Sequence, residues 1–197
     1  MQSSSSPDSA DGAAPAAANF ELLWSEAAPA VYAWFEIRVR DALRAHLDPE
    51  DALQEVACRA FDSFERFDPA AGPFRGWVFG IARNVLYHAL QRVGRRLNAA
   101  PAHAPGGFDT QAWSRLPDTT TSITRRVARD EALARFVAEV RALDEDDRRL
   151  LLRRGLEGRS HEEIAGELGI TPQAAVKRWT RLRERLASTP RFVHLAG

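Results

Sequence analysis

The sequence predicts an all-α protein of two small helical domains joined by a flexible linker, the C-terminal one a helix-turn-helix. Three observations lead there. Apolar residues recur at helical spacing along most of the chain, with no β-type alternation of useful length. Segment 98–123 breaks that periodicity and carries Pro101, Pro105, Gly106, Gly107 and Pro117, more aperiodic chain than a compact domain normally holds. Finally, Gly158–Leu186 contains the start and stop signals of two short helices set back to back.

Bulk properties bound the possibilities. A chain of 197 residues suits one domain or two small ones, and 45% hydrophobic residues with 12 Gly and 11 Pro is ordinary for a globular protein. Net charge is zero, but its distribution is uneven. Arg75, Arg83, Arg92, Arg95 and Arg96 fall in a stretch with no acid, and Lys177–Arg191 holds six basic residues against Glu184 alone. Acid gathers instead in Asp48–Glu55 and Asp144–Asp147. Two basic zones on a neutral chain suit a protein that meets phosphate locally. The single cysteine, Cys58, excludes an internal disulfide and a multi-cysteine zinc site, and its position beside an apolar stripe predicts a packed or boundary thiol. There is no membrane-length apolar run and no secretory leader pattern, so a cytoplasmic protein is expected.

The elements follow in order. Residues 1–18, rich in Ser, Ala, Asp and Pro, read as a disordered tail. The N-terminal domain is expected over 19–97. Leu23, Trp24, Val31, Trp34, Phe35, Val39 and Leu43 recur at helical spacing, with Pro29 expected to separate or bend two helices. Asp48-Pro49 is a cap followed by a first-turn proline. Behind it Leu53, Val56, Ala57, Ala60, Phe61 and Phe64 make a buried stripe, while Asp51, Gln54, Glu55, Arg59 and Asp62 occupy the opposite face. The loop Asp68–Pro73 precedes a third helix with Phe74, Trp77, Val78, Ile81, Ala82, Val85 and Ala89 on one side. Trp77 sits in that stripe, so packing is expected of it rather than stacking on a base. After the linker, a C-terminal domain is expected over 124–188, with 189–197 as a tail. Val127, Leu133, Phe136, Val137 and Val140 restore periodicity, and Asp144–Asp147 places acids where a helix dipole favours them.

In the hairpin, Ser160 and Glu163 can form a capping box, and Gly169 can supply the left-handed conformation that ends a helix. Thr171 caps the second helix and Pro172 stands at its first position. Val176, Trp179, Leu182 and Leu186 continue an apolar seam, leaving Lys177, Arg178, Arg181 and Arg185 largely off it. A helix of this kind can enter the DNA major groove. A plain structural helix pair shows the same pattern, so the hairpin alone leaves both readings open.

Three motifs narrow the choice. Asp48–Val56, DPEDALQEV, resembles the DxxDLxQEvF signature of bacterial RNA polymerase sigma factors. Phe74–Asn84, FRGWVFGIARN, is similar to their FRxWLxxIARN segment, and Leu143–Leu186 is similar to their promoter-reading C-terminal domain. The intervening domain of larger sigma factors is absent, which matches the extracytoplasmic-function (ECF) type of the sigma-70 family. The resemblance covers about residues 20–97 and 124–188.

The resemblance implies a promoter-specificity subunit that binds core polymerase, directs it to promoter DNA and assists melting, with neither catalysis nor a cofactor or metal. It assigns Asp51, Gln54 and Glu55 to the clamp helices of the largest polymerase subunit, and it implies the flap region as a further contact. It assigns Asp68, Arg83, Asn84, Tyr87, Arg92, Arg95 and Arg96 to the minus-ten element, where the loop would hold an extruded base. Thr171, Gln173, Lys177, Arg178 and Arg181 fall to the minus-thirty-five element. An anti-sigma factor is a further partner of such proteins. The chain departs from many relatives in having His88 where they carry Asp, which bears on minus-ten preference. Ala174 and Ala175 leave a plain helix face that invites shape readout.

Two alternatives remain at this point. An autonomous helix-turn-helix regulator accounts for 143–188 but gives no reason for the acidic DPEDALQEV face or the linker. An enzyme is disfavoured because His161-Glu162-Glu163 lacks the second histidine one turn on that a zinc helix needs, and no phosphate loop or nucleophile constellation accompanies it.

Overall fold

The computed structural model describes residues 13–39, 41–98, 116–187 and Leu195. They form α1 (Ala13–Arg38), α2 (Asp41–Arg44), α3 (Pro49–Asp62), a 3-10 turn (Phe64–Arg66) and α4 (Phe74–Asn98). After residues 99–115 come α5 (Asp118–Ala128), α6 (Glu131–Arg141) and α7 (Glu145–Leu150), which runs on into a π-helical turn (Leu151–Leu156). The chain then forms α8 (His161–Leu168) and α9 (Pro172–Leu186). The described residues contain no strand, and the protein is all-α with two helical domains.

Local chemistry accounts for most boundaries. The Asp48 carboxylate accepts from the Glu50 amide at 2.7 Å, and Pro49 opens α3. Asp130 caps α6 by accepting from the Ala132 and Leu133 amides. Asp144 caps α7 by accepting from the Asp147 amide at 2.9 Å. The Ser160–Glu163 capping box is complete, Gly169 is left-handed at φ 66°, and Thr171 accepts from the Ala174 amide at 3.2 Å.

Three helix details differ from the sequence expectation. Helix α1 begins at Ala13, because the alanine-rich run before Phe20 has the highest helix propensity and simply extends it. It also passes unbroken through Pro29. A mid-helix proline costs about 3 kcal/mol, but Trp24, Val31, Trp34 and Phe35 of the same helix are buried, and burying large apolar side chains contributes about 1.5–3 kcal/mol each. Helix α5 starts within the segment expected as linker, with Pro117 before it and Asp118 in its first turn.

Helix α1 is the hub. It packs against α3 and α4 on one side and against α5 and α6 on the other, so the domains share one hydrophobic core. Phe20 stacks on Trp24 and meets Phe61, Phe64 and Phe74 edge-on, while Trp34 meets Phe35 and Phe79. From the C-terminal half come Leu133, Phe136, Val137, Val140, Leu150, Leu151 and Leu156. Cys58 is buried, and Trp77 packs half-buried against Phe67 and Phe74.

Candidate nucleic-acid interface

The hairpin presents one coherent outer face. Gln173, Lys177 and Arg181 are exposed at i, i+4 and i+8 on α9, with Val176 and Thr180 between them. Val176 is 43% exposed and Ala175 fully buried. The inward seam is therefore Ala175, Trp179, Leu182 and Leu186, and the expectation that Val176 belongs to it is corrected. Spacings of four, three and four residues follow one helix stripe, which a start at Val176 does not. Thr171 stays exposed at the helix start, where it serves as the cap.

Arg178 stands apart from this face. Its Nε donates to Asp147 Oδ1 at 2.6 Å, Nη1 to Asp146 Oδ2 at 3.1 Å and Nη2 to Asp144 Oδ1 at 3.0 Å. Asp147 Oδ2 accepts from Arg185 Nη2 at 2.6 Å. Burial alone would raise the Asp147 pKa, but the hydrogen bonds and charges of Arg178 and Arg185 hold it below the usual carboxylate value. The acids at the head of α7 thus complement the dipole and also anchor α9.

On α4, Asn84 and Tyr87 are exposed, and Tyr87 lies edge-on to His88. Arg83 is partly exposed and donates through Nη1 to Glu157 Oε2 at 2.9 Å. Arg92 is half-buried, and the side chains of Arg95 and Arg96 lie outside the described ones. The exposed Asp68 accepts from the Ala70 amide at 2.9 Å, which shapes the loop before α4. Beside that loop is a cleft of about 520 Å³ lined by Leu23, Phe64, Phe67, Pro69 and Phe74.

Helix α3 does not present the open face that its periodicity suggests. Asp51 is exposed, and partial burial followed by the Asp48 charge raises its pKa. Gln54 and Glu55 are only 7% and 4% exposed. Helix α5 packs on α3, and Gln54 Nε2 donates to Thr121 Oγ1 at 3.4 Å. Glu55 Oε1 accepts from Arg59 Nε at 2.7 Å.

Sequence reasoning missed the carboxylate at the domain junction. The Glu157 side chain has no solvent exposure, and Oε1 accepts from Trp34 Nε1 at 2.8 Å and Arg38 Nη2 at 3.3 Å. Oε2 accepts from Arg83 and from Arg153, the latter at 3.0 Å. Burial lowers the Arg38 pKa, opposed by Glu157, and its guanidinium lies 4.8 Å above the Trp34 ring. Arg75 donates to the Gly155 and Leu156 carbonyls, each at 2.8 Å, at the end of the π turn where helical amides run out. Burial likewise lowers its pKa. The available signal was α1 itself. The stretch Ala27–Ile37 is apolar on nearly all sides, and such a helix is enclosed on all sides.

These features define a two-domain helical protein with an exposed basic helix, α9. Residues 25–96 match the family model for sigma-70 region 2, and residues 133–186 match that for sigma-70 region 4. The chain is 30% identical over 158 residues to the ECF RNA polymerase sigma factor SigL of Mycobacterium tuberculosis, covering 80% of this chain and 81% of that protein. It is 29% identical over 141 residues to the ECF RNA polymerase sigma factor SigE of Mycolicibacterium smegmatis, covering 71% of this chain and 50% of the relative. No solved structure matches. The chain belongs to the sigma-70 family, within its ECF group, and is a promoter-specificity subunit for transcription initiation that binds core RNA polymerase and promoter DNA. Sigma factors are initiation factors without enzymatic activity. No helix among the described residues is long and apolar enough to cross a membrane.

Proposed function

We propose that α3 docks on the clamp helices of the largest polymerase subunit through Asp51, Gln54 and Glu55, that α4 and the Asp68 loop meet the minus-ten element, and that α9 reads the minus-thirty-five element. The carrying observation is the exposed i, i+4, i+8 row of Gln173, Lys177 and Arg181 on a capped, well-anchored helix. Lys177 and Arg181 can bond guanine edges or phosphates, Gln173 can bond adenine, and Val176 can meet a thymine methyl. Arg178, held by three carboxylates, orients that row and is removed from the reading set proposed from sequence. Thr171 keeps its place there as the cap whose own position opens the helix.

Asn84, Tyr87, Arg92, Arg95 and Arg96 with Asp68 form the minus-ten set, and Arg83 joins it once released from Glu157. The family supports the flap as the contact of the C-terminal domain, an anti-sigma factor as a regulator and the cytoplasm as the working compartment. The protein performs no catalysis of its own, so its part in melting is binding energy directed at an opened strand.

Replacing Asp51, Gln54 and Glu55 together with alanine tests the docking assignment. Affinity for core polymerase should fall by about tenfold or more, the scale of losing charged interface contacts, while helical content is kept. Unchanged core affinity would remove α3 as the docking helix.

A further inference from the structure

We propose that Val176 and Thr180 form a methyl-reading edge on α9, which selects thymine within the minus-thirty-five element by its C5-methyl group. This rests on the assignment of α9 to that element given above. It deepens that assignment by naming a base, and the group on the base that is recognised.

The exposed face of α9 is not uniformly polar. Val176 is 43% exposed, and the helix packs inward through Ala175, Trp179, Leu182 and Leu186 instead. A lone exposed valine is ordinary on a protein surface, so its neighbours decide its meaning. Thr180, four residues on, is also exposed, and its Oγ1 donates to the Val176 carbonyl at 3.1 Å. The hydroxyl proton is thereby engaged within the helix, and the methyl remains as a contact group. Residues four apart are neighbours on a helix surface, so the two side chains make one short apolar edge. Val176 is stiff at χ1 and the hydrogen bond holds Thr180, which lowers the entropy lost when a base packs on them. Val176 and Arg178 are separated by about 160° around the helix axis, so the ion pairs from Arg178 to Asp144, Asp146 and Asp147 leave this edge open.

The edge has a defined preference among bases. In the major groove thymine offers its C5-methyl and O4, whereas cytosine offers an N4 amine. Packing the methyl on Val176 removes apolar surface from water, while a cytosine amine in the same place finds no acceptor on Val176 and loses its own water. Gln173 is exposed one turn before Val176 and can hold adenine N6 and N7. The two together suit an A·T-rich step, with the exposed Lys177 and Arg181 taking phosphate or guanine beside it.

The test removes one methyl from the DNA and leaves the protein intact. Holoenzyme assembled from the full chain and core polymerase selects binders from duplexes randomised in the minus-thirty-five element. Each thymine of the selected element is then replaced singly by deoxyuridine, which keeps base pairing and O4. Binding should fall by about fourfold at one or two positions, the scale of one buried methyl. The ratio of thymine to deoxyuridine binding should stay constant as salt rises, even as overall affinity declines. Val176→Ser should bring that ratio towards one at its position and Thr180→Ser at a neighbouring one, whereas Thr180→Val keeps it. A selected element without thymine, or equal binding of thymine and deoxyuridine at every position, would overturn the proposal. So would discrimination that persists undiminished when Val176→Ser and Thr180→Ser are combined. Lys177→Ala with Arg181→Ala tests the underlying assignment separately. If that variant binds the selected duplex as well as wild type does, the assignment of α9 falls and this proposal with it.

Discussion

Arg178 on α9 and Asp147 at the head of α7 are joined by a 2.6 Å hydrogen bond, and the same carboxylate takes Arg185 two helical turns further on. The basic helix α9 is therefore held by acids outside it. Lys177 and Arg181 on the same helix are exposed.

Arg178→Ala should accordingly weaken activity on all promoters that use the minus-thirty-five element, without changing which bases are preferred there. Lys177→Ala and Arg181→Ala should do something different. Each should either cost about 1–3 kcal/mol at particular base pairs or reduce the salt dependence of binding by about one ion. A promoter library assayed with each variant separates these outcomes. A shift of base preference caused by Arg178→Ala alone would return it to the reading row.

Asp147→Asn should destabilise the hairpin by about 1–3 kcal/mol, since it leaves Arg178 and Arg185 short of a buried carboxylate. The effect has a defined pH window. Because the folded pKa of Asp147 lies below its unfolded value of about 3.9, its contribution is fully present above that value. It is lost as pH falls through the folded value. The stability difference between wild type and variant, measured by chemical denaturation, should therefore shrink below about pH 4.

Gly169→Ala should cost about 1–2 kcal/mol, because φ of 66° is unfavourable for a residue with a Cβ. The space itself is open, as a Cβ there meets nothing within 4 Å. The penalty is purely conformational, so Gly169→Asn should be tolerated better than Gly169→Ala in a thermal melt.

Local signals in the chain were readable in advance, and relations between distant segments were not. Asp48-Pro49, Ser160–Glu163, Gly169 and Thr171-Pro172 each act within a few residues, so their chemistry is written in the order of the chain. Gln54 and Glu55 are polar and sit opposite the α3 stripe, which normally means solvent. Gln54 instead meets Thr121 of α5, more than sixty residues away. Glu157 follows the run Leu150–Leu156 and precedes a turn glycine, and nothing nearby announces that Trp34, Arg38 and Arg83 converge on it. The passage of α1 through Pro29 has the same origin, because packing from both domains outweighs a local rule. For the candidate site, residue types and spacing proposed three surfaces. Only the three-dimensional arrangement shows that Arg178 is held by Asp144, Asp146 and Asp147 while Lys177 and Arg181 stay exposed.

Run-off transcription with purified core polymerase and genomic promoter fragments tests the central claim most directly. The protein should produce discrete transcripts that core alone does not, and simultaneous replacement of Gln173, Lys177 and Arg181 with alanine should abolish those dependent on the minus-thirty-five element. An absence of stimulation, with no polymerase co-purifying, would contradict the account.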